Sequence, residues 1–219
     1  MEAIKPSFKD LAYLKAVYHW NRFQFSRLER KLQARVEFAE GCDIWVPGFR
    51  YKGAGKIYFG KGSIIERQEH PSIFDTEVGS EVILGERVLV RSKYCSNVLT
   101  CFENARIEVG DDSVLNGCVI TAKNLVRLGR KVLLPWRGTI LDSDMHDLTN
   151  TDKEGIGTVE IGDYVWVGTG ATILSGARIG SHCIIAAGSV VNKDIPDHSL
   201  AAGAPARVIR EIEDRDQAR

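Results

Sequence analysis

Aliphatic residues recur at every sixth position in the C-terminal half of the chain. The series runs through Ile161, Val167, Ile173, Ile179, Ile185 and Val191. Neither a helix with about 3.6 residues per turn nor a strand with a period of two produces this spacing. A chain that turns a corner after every six residues does produce it, because each short strand then directs one aliphatic side chain into a prism-shaped core.

Three such strands form one coil of 18 residues, so residues 18 positions apart are expected to stack. The expected pairs are Ile161 on Ile179, Val167 on Ile185, and Ile173 on Val191. Glycine suits the corners, where the backbone needs a positive φ or approaches another strand closely. Glycines directly follow three of the aliphatic positions, at Gly162, Gly168 and Gly180. Small or modest residues, suited to a crowded inner corner, follow at Val165, Ala171, Ala177, Cys183 and Ser189.

The same period is weaker upstream. It is carried by Phe59 and Ile65, by Leu84 and Val90, by Val109, Leu115 and Thr121, and by Leu128, Leu134 and Ile140. The Val109 series is one residue out of phase with the Leu128 series. The pattern predicts an all-β solenoid over residues 42–198, with a closing segment over 199–219.

The N-terminal residues 1–41 form a separate helical segment in this interpretation. Apolar or aromatic residues at a three-to-four spacing predict one amphipathic helix over 8–35; they are Leu11, Leu14, Tyr18, Phe25, Leu28 and Leu32, with Asn21 filling the gap. The second half is basic, through Arg22, Arg27, Arg30, Lys31 and Arg35. A membrane-surface or acceptor-binding helix is one interpretation. Packing on the solenoid or on a neighbouring subunit is the favoured one, since packed helices usually carry a charged outer face.

A polar segment over residues 142–158 interrupts the period after Ile140. The next inward position would be His146, but a polar insertion must loop outward because its backbone has no partners inside the coil. Loops on rigid scaffolds are frequent carriers of functional residues. From the residues alone, a single histidine in such a loop is more often an ordinary solvated side chain than a general base. Asp142, Asp144 and Asp147 lie in the same segment.

Composition excludes several classes of protein. The 219 residues are 44% apolar and 26% charged, with 29 basic and 29 acidic side chains, which is typical of a soluble globular protein and gives no reason to expect a nucleic-acid partner. The N-terminus lacks the apolar region of a secretory signal, and no apolar run is long enough for a membrane span, so a cytoplasmic location is expected. The five cysteines are odd in number and lack CxxC spacing, which disfavours disulfides and a zinc site.

The stretch IGDYVWVGTGATILSGARIGSHCIIAAGSVVNKDIPDHSLAAGAPARVIREI resembles the hexapeptide-repeat acyltransferases. It is most similar to the galactoside, maltose and surface-polysaccharide O-acetyltransferases, in detail over 107–212 and only in period over 42–106. The resemblance implies a left-handed parallel β-helix, against the usual right-handed crossover. A short C-terminal helix is expected over PARVIREI. The resemblance further implies a homotrimer that binds coenzyme A between neighbouring solenoids.

The resemblance also implies roles for individual residues. His146 is the expected catalytic base. From the acidic residues of the loop itself, and not from the resemblance, Asp144 is the candidate for orienting the imidazole, although a backbone carbonyl would serve equally. Asn116 is expected to line the acetyl and acceptor pocket, with Trp136 beside it where many relatives have asparagine. The residues expected to bind coenzyme A are Trp166, Gly168, Thr169, Ala187, Gly188, Asn192, Lys193, Arg207 and Arg210. No metal is expected.

These features predict an acetyl-CoA-dependent O-acetyltransferase that acts directly on a hydroxyl of a saccharide or saccharide precursor. N-acetylation of an amino-sugar nucleotide on the same scaffold is an alternative, because an amine acceptor must also lose a proton. A non-catalytic solenoid is the second class. The γ-type carbonic anhydrases use the same coil with three histidines, but His70, His146 and His182 are widely scattered here.

Overall fold

The computed structural model describes residues 8–146 and 154–214. The N-terminal segment contains the helix α1 (Phe8–Leu32) and a 3-10 turn at Val46–Gly48. The remaining elements are short strands. In chain order they are β1 (Val36–Phe38), β2 (Asp43–Ile44), β3 (Phe49–Gly53), β4 (Lys56–Phe59), β5 (Ile64–Ile65), β6 (Ser72–Thr76), β7 (Glu81–Leu84), β8 (Leu89–Arg91), β9 (Asn97–Cys101), β10 (Arg106–Val109), β11 (Val114–Asn116), β12 (Val119–Ala122), β13 (Leu125–Leu128), β14 (Leu133–Leu134), β15 (Thr139–Leu141), β16 (Thr158–Ile161), β17 (Trp166–Val167), β18 (Thr172–Ile173), β19 (Arg178–Ile179), β20 (Ile184–Ile185), β21 (Val190–Val191), β22 (Ser199–Gly203) and β23 (Ala206–Glu211).

The strands form the three faces of a triangular prism. Sheet A contains β1, β4, β7, β10, β13, β16 and β19; sheet B contains β2, β5, β8, β11, β14, β17, β20, β22 and β23; sheet C contains β3, β6, β9, β12, β15, β18 and β21. The chain visits the sheets in the order A, B, C, so each coil has an A–B, a B–C and a C–A corner. The architecture is a parallel β-solenoid whose hexapeptide repeats fit a left-handed β-helix, as predicted.

The predicted register is confirmed. Ile161 pairs with Ile179, Val167 with Ile185, and Ile173 with Val191. All of these side chains lie in one continuous buried core. The small residues predicted for the inner corners are also buried, namely Val165, Ala171, Ala177, Cys183 and Ser189.

Earlier coils are longer, which explains the weaker period there. Ile57, Val82 and Ile107 stack on successive turns of sheet A, and contacts between these turns join residues 25 positions apart. One inward position was predicted wrongly by one residue. Ile120, not Thr121, pairs with the core residue Ile140, because the extra residue in this coil shifts the phase.

Close backbone approach and positive φ, the two reasons predicted for glycine at the corners, apply to different glycines. A Cβ on Gly162 or Gly168 would collide with the backbone of the next coil, so these positions need glycine for close approach. Gly170 and Gly188 instead adopt positive φ values of 70° and 68°. Both occupy the third position of tight turns that carry the chain from sheet B to sheet C.

The predicted N-terminal helix is confirmed as α1, and it packs on the first coil through Phe25, Leu28 and Leu32. The Asn21 amide donates to the Ile44 carbonyl (2.9 Å) and accepts from the Val46 amide (3.0 Å), which fixes the helix to the strand end. Tyr18, expected on the packed stripe, is exposed. The side chains of Leu11 and Leu14 lie outside the described residues. No described helix has the length and apolarity needed to cross a bilayer.

Strand pairing extends beyond the predicted limits of 42 and 198, from Val36 to Glu211. The predicted C-terminal helix over PARVIREI is wrong, since Ala206–Glu211 is strand β23, antiparallel to β22. The last parallel strand of sheet B leaves its backbone groups open. A returning strand covers that edge, and the pairing outweighs the local tendency toward helix.

Candidate active site

The polar loop leaves sheet C after β15 and rejoins the solenoid at β16 in sheet A, so it projects from the C–A corner. Its two legs are described up to His146 and from Glu154 onward; Asp147 lies outside the described residues. The legs are joined by an antiparallel bridge between Ser143 and Ile156. The Asp144 amide donates to the Gly155 carbonyl (2.9 Å). The loop therefore leaves the prism as a paired ribbon.

Asp142 anchors the base of this loop. Its carboxylate is fully buried and accepts hydrogen bonds from the backbone amides of Lys123 and Asn124, both at 2.8 Å. Burial raises the pKa of Asp142 above its ordinary value, although these backbone donors oppose that shift. The Asp142 carbonyl accepts from the Gly157 amide (2.7 Å) and the Ser175 hydroxyl (2.8 Å). Asp142 is thus a structural residue and not a partner for the histidine.

An ion pair between Lys123 and Glu154 holds the returning leg. The hydrogen bond from Lys123 lowers the pKa of Glu154. His146 and Asp144 are both exposed at the outer part of the loop. Within the described part of the chain, no hydrogen bond joins Asp144 to His146, so the orienting role of Asp144 stays a prediction.

We expect Asp142→Ala to lower the free energy of unfolding by about 1–3 kcal/mol for each amide that is left buried without a partner. Denaturant unfolding with circular dichroism measures this change. Asp144→Ala is the matched control on the same loop, because its side chain is exposed. Equal stability of the two variants would contradict the anchoring role of Asp142.

Four turns of the solenoid stack at the B–C corner and form a column of backbone hydrogen bonds. The Arg137 amide donates to Gly117 (2.9 Å), the Gly170 amide to Trp136 (3.1 Å), and the Gly188 amide to Thr169 (2.9 Å). This column brings together residues predicted to bind the acceptor and residues predicted to bind coenzyme A: Asn116, Trp136, Gly168, Thr169, Ala187 and Gly188.

Some of the backbone amides predicted to bind coenzyme A already have hydrogen-bond partners within the solenoid, and others do not. The Gly168 amide already donates to the Ile185 carbonyl (2.7 Å), and the Gly188 amide is used within the column. Thr169 and Ala187 are exposed, and their amides make no hydrogen bond to any described residue. Two backbone donors, one coil apart, are therefore unused at this corner among the described residues.

Asn116 lies one coil before Trp136 in the same corner. Its side-chain oxygen is buried and has no hydrogen-bond partner among the described residues. A buried acceptor without a partner is costly. Such a group gains from any ligand that supplies a donor, which distinguishes Asn116 from an ordinary corner asparagine.

Tyr94 is a site residue that the sequence did not reveal. Its ring contacts Trp136 edge to face, with 4.2 Å between the ring centroids. Both rings are partly exposed, and the Lys93 ammonium lies 5.2 Å from the Tyr94 ring centre. Tyr94 and Trp136 are far apart in sequence, and Tyr94 lies in a loop that does not follow the six-residue period. No local sequence pattern therefore predicts this contact.

The outer face of sheet B continues this surface toward the C-terminus. Trp166 pairs with Ile184, Ile184 with Leu200, and Leu200 with Arg210. Arg207 pairs with Ala202, two residues from Leu200 on the same side of the strand. A bulge between these pairs places Arg207 and Arg210, three positions apart in sequence, on one face. An exposed tryptophan is thereby aligned with two exposed guanidinium groups.

Asn192 and Lys193 lie elsewhere. They follow β21 at the C–A corner, the corner from which the His146 loop leaves two strands earlier in sheet C. In one chain the predicted residues therefore fall into two groups. Asn116, Trp136, Thr169, Ala187 and the arginines belong to sheet B and its B–C corner, whereas His146, Asn192 and Lys193 belong to the C–A corner.

The cysteines are free thiols. Burial raises the pKa of Cys101 to about 11 and that of Cys118 to about 12, and it also raises the pKa values of Cys42 and Cys183. Such thiols are poor nucleophiles at neutral pH. His70, His146 and His182 lie at three different corners, and no cluster of metal-ligating side chains occurs among the described residues.

The family model for "Bacterial transferase hexapeptide (six repeats)" matches residues 158–193. The galactoside O-acetyltransferase of Escherichia coli (strain K12) is 46% identical over 139 residues, 64% of this chain and 58% of that protein. A probable acetyltransferase of Mycobacterium tuberculosis (strain ATCC 25618 / H37Rv) is 31% identical over 161 residues, 71% of this chain and 50% of that protein. The chain thus spans little more than half the length of these relatives.

A polysialic acid O-acetyltransferase has the same fold, with a TM-score of 0.56 and 18% identity over 82% of this chain and 89% of that one. The matched repeats coincide with the most regular coils, β16 to β21. Residues 158–193 of the chain therefore carry the repeats of the hexapeptide family of bacterial transferases.

Proposed function

We propose that this protein transfers an acetyl group from acetyl-CoA to a hydroxyl of a saccharide or saccharide precursor. The observation that carries the proposal is the B–C column, where two unused backbone donors stand beside an exposed tryptophan and two aligned arginines. Coenzyme A has the matching groups in the same order, since its pantetheine amides lead to phosphates. The Escherichia coli relative is a galactoside O-acetyltransferase, which supports acetyl transfer to a saccharide hydroxyl.

In this proposal the amides of Thr169 and Ala187 donate to carbonyl oxygens of the pantetheine arm, and Trp166 flanks the arm. Arg207 and Arg210 lie toward the C-terminal end, where their planar donors suit phosphate oxygens. The strands of Trp166 and Arg210 are three spacings apart in sheet B, about 14 Å at about 4.8 Å per spacing. An extended arm fits this length.

His146 acts as the general base. Its imidazole takes the proton of the acceptor hydroxyl as the oxygen attacks the thioester carbonyl, and the resulting tetrahedral intermediate collapses with cleavage of the C–S bond. The imidazolium then returns the proton to the leaving thiolate. Asn116 donates from its amide nitrogen to the carbonyl oxygen as negative charge develops there. The transfer in this proposal is direct, without an acyl-enzyme: burial raises the pKa of four of the five thiols, and the Cys95 thiol donates to the Gly117 carbonyl (3.1 Å).

Two chains are needed to complete each site, because His146 and Asn116 leave one prism at different corners. The outer row of sheet C carries uncharged residues that are half-buried in the single chain, namely Ile73, Val98, Val119, Thr139, Thr172 and Val190. If three prisms turn sheet C toward a common axis, the C–A corner of each chain meets the B–C corner of the next. A homotrimer of this kind brings His146 and Lys193 of one chain to the proposed coenzyme A site on sheet B of its neighbour.

The test is release of the coenzyme A thiol from acetyl-CoA over a panel of sugars, nucleotide sugars and amines. We expect rapid, acceptor-dependent release with at least one sugar hydroxyl, and acetate ester in the product. Release with amine acceptors alone would support N-acetylation instead. Absence of acceptor-dependent release across the whole panel would refute the proposed activity.

A further inference from the structure

The B–C corner does not end at Asn116 but continues toward the N-terminus with aromatic and basic side chains. Arg91 pairs with Asn116 in the register of sheet B. Glu66 lies next in the same row and binds Arg91 at 3.0 Å. Trp45 follows at the end of β2. The row thus leads from the proposed acceptor site to the first coil of the solenoid.

Helix α1 adds a further aromatic side chain to this row. The Trp20 and Trp45 ring centroids are 6.3 Å apart, and Trp20 is 48% exposed although it lies beside the solenoid. The Arg67 guanidinium stands 5.0 Å from the Trp45 ring centre. It also donates to the Tyr13 hydroxyl (3.5 Å). Aromatic faces and cations are therefore held together at the far end of the row.

Trp20, Trp45, Arg67, Arg91, Tyr94 and Trp136 define what we name the corner track. Between Trp45 and Trp136 the track crosses four strand spacings, about 19 Å at about 4.8 Å each. Partly exposed rings stand at both ends of this length, with the cations of Arg67 and Arg91 between them. Ordinary surfaces leave single aromatic residues exposed, whereas a row of them marks a binding surface.

We propose that the corner track binds an acidic saccharide chain, so that the acceptor is a sugar polymer or oligomer and not a single sugar. This inference rests on the proposed acetyl transfer to a saccharide and names the class of acceptor. The apolar faces of pyranose rings match the aromatic side chains, and the three cations at this corner, Arg67, Arg91 and Lys93, outnumber its two acidic side chains, Glu66 and Glu69. Continuity with Asn116 and Trp136 delivers one hydroxyl of the chain to the transfer site.

The polarity of the corner track favours an acidic saccharide over a second copy of this chain as its ligand. The core of an interface with a second copy is usually depleted of charged side chains, as the uncharged row of sheet C is. The corner track instead interrupts its rings with charged groups that stay partly exposed, as at Arg91 and Tyr94. Charged, ring-bearing ligands satisfy both kinds of side chain.

The direct test is calorimetric binding, without acetyl-CoA, of uronic-acid and sialic-acid oligomers of increasing length, with the monosaccharides for comparison. We expect at least one acidic series to bind about tenfold tighter as a long oligomer than as a monomer, a difference of about 1.4 kcal/mol. Trp20→Ala should remove most of this gain. Phe23→Ala is the matched control, since Phe23 is exposed on the same helix and contacts no other ring in the described structure.

Arg67→Ala provides a second variant in case Trp20→Ala disturbs the helix, with the exposed Arg27→Ala as its control. Length-independent binding across all acidic series would overturn the inference, and so would equal effects of the Trp20 and Phe23 substitutions. Dissociation of the oligomer by Trp20→Ala, seen by light scattering, would assign the track to a second copy and also overturn it. The binding assay needs no chemistry, so a chain that binds oligomers but transfers no acetyl group would refute the proposed function alone.

Discussion

His146→Ala is expected to lower kcat by about 10²–10⁴-fold, the usual contribution of a positioned general base. The acceptor hydroxyl is a weak nucleophile at neutral pH. In the described structure, no other imidazole lies near the polar loop that carries His146 at the C–A corner. Because the coenzyme A contacts lie on sheet B, the substitution should leave the affinity for coenzyme A within about twofold of the wild type, since no contact to the donor is removed. Steady-state thiol release and calorimetric binding of coenzyme A measure the two quantities.

His70→Ala is the control for this change. His70 is also exposed, and its backbone N–H and carbonyl form its hydrogen bonds, both to Ser92. Its replacement should leave kcat unchanged. A His146→Ala enzyme with full turnover would refute the base assignment, whereas an enzyme that has lost coenzyme A binding would move His146 from chemistry to donor recognition.

Asn116→Ala is expected to lower kcat by about 10²-fold, comparable to removal of one donor to a developing oxyanion. The free energy of unfolding should not fall together with kcat. The side-chain oxygen of Asn116 is buried without a partner in the described part of the chain, so its removal should leave the free energy of unfolding unchanged or slightly higher. Turnover assays and denaturant unfolding on the same preparation test the pair of expectations.

Asn104→Gly is a suitable control, because Asn104 is an exposed corner residue with a φ of 58° that glycine adopts readily. It should change neither activity nor donor binding. A clear loss of stability in Asn116→Ala would show that its amide has a structural partner. Retained activity would remove Asn116 from the mechanism.

The sequence was most informative where the coils are shortest. Between Ile161 and Val191 each coil has the same length, so counting alone fixed which residues stack and where the corners fall. Longer coils upstream move the period out of phase, as Ile120 and Thr121 show. The core there could be recognised only in fragments, because a sequence period cannot distinguish a longer corner from a shifted strand.

The parts of the site were predictable, but their grouping was not. His146 stood out because a polar insertion breaks a regular core. The B–C column joins Gly117, Trp136, Thr169 and Gly188 across coils of unequal length, so this alignment can be read only from the register of the strands. The same applies to Tyr94 against Trp136. The bulge that aligns Arg207 with Arg210 belongs to a hairpin that was expected to be a helix.

The most direct test of a site shared between two chains is complementation between His146→Ala and Asn116→Ala. Each variant alone should be nearly inactive. When the two are co-expressed at equal levels and all the randomly assembled trimers are purified together, about a quarter of the sites should receive an intact His146 from one chain and an intact Asn116 from its neighbour. We predict recovery of about that fraction of wild-type activity; mixed oligomers that remain as inactive as the separate variants would contradict the account.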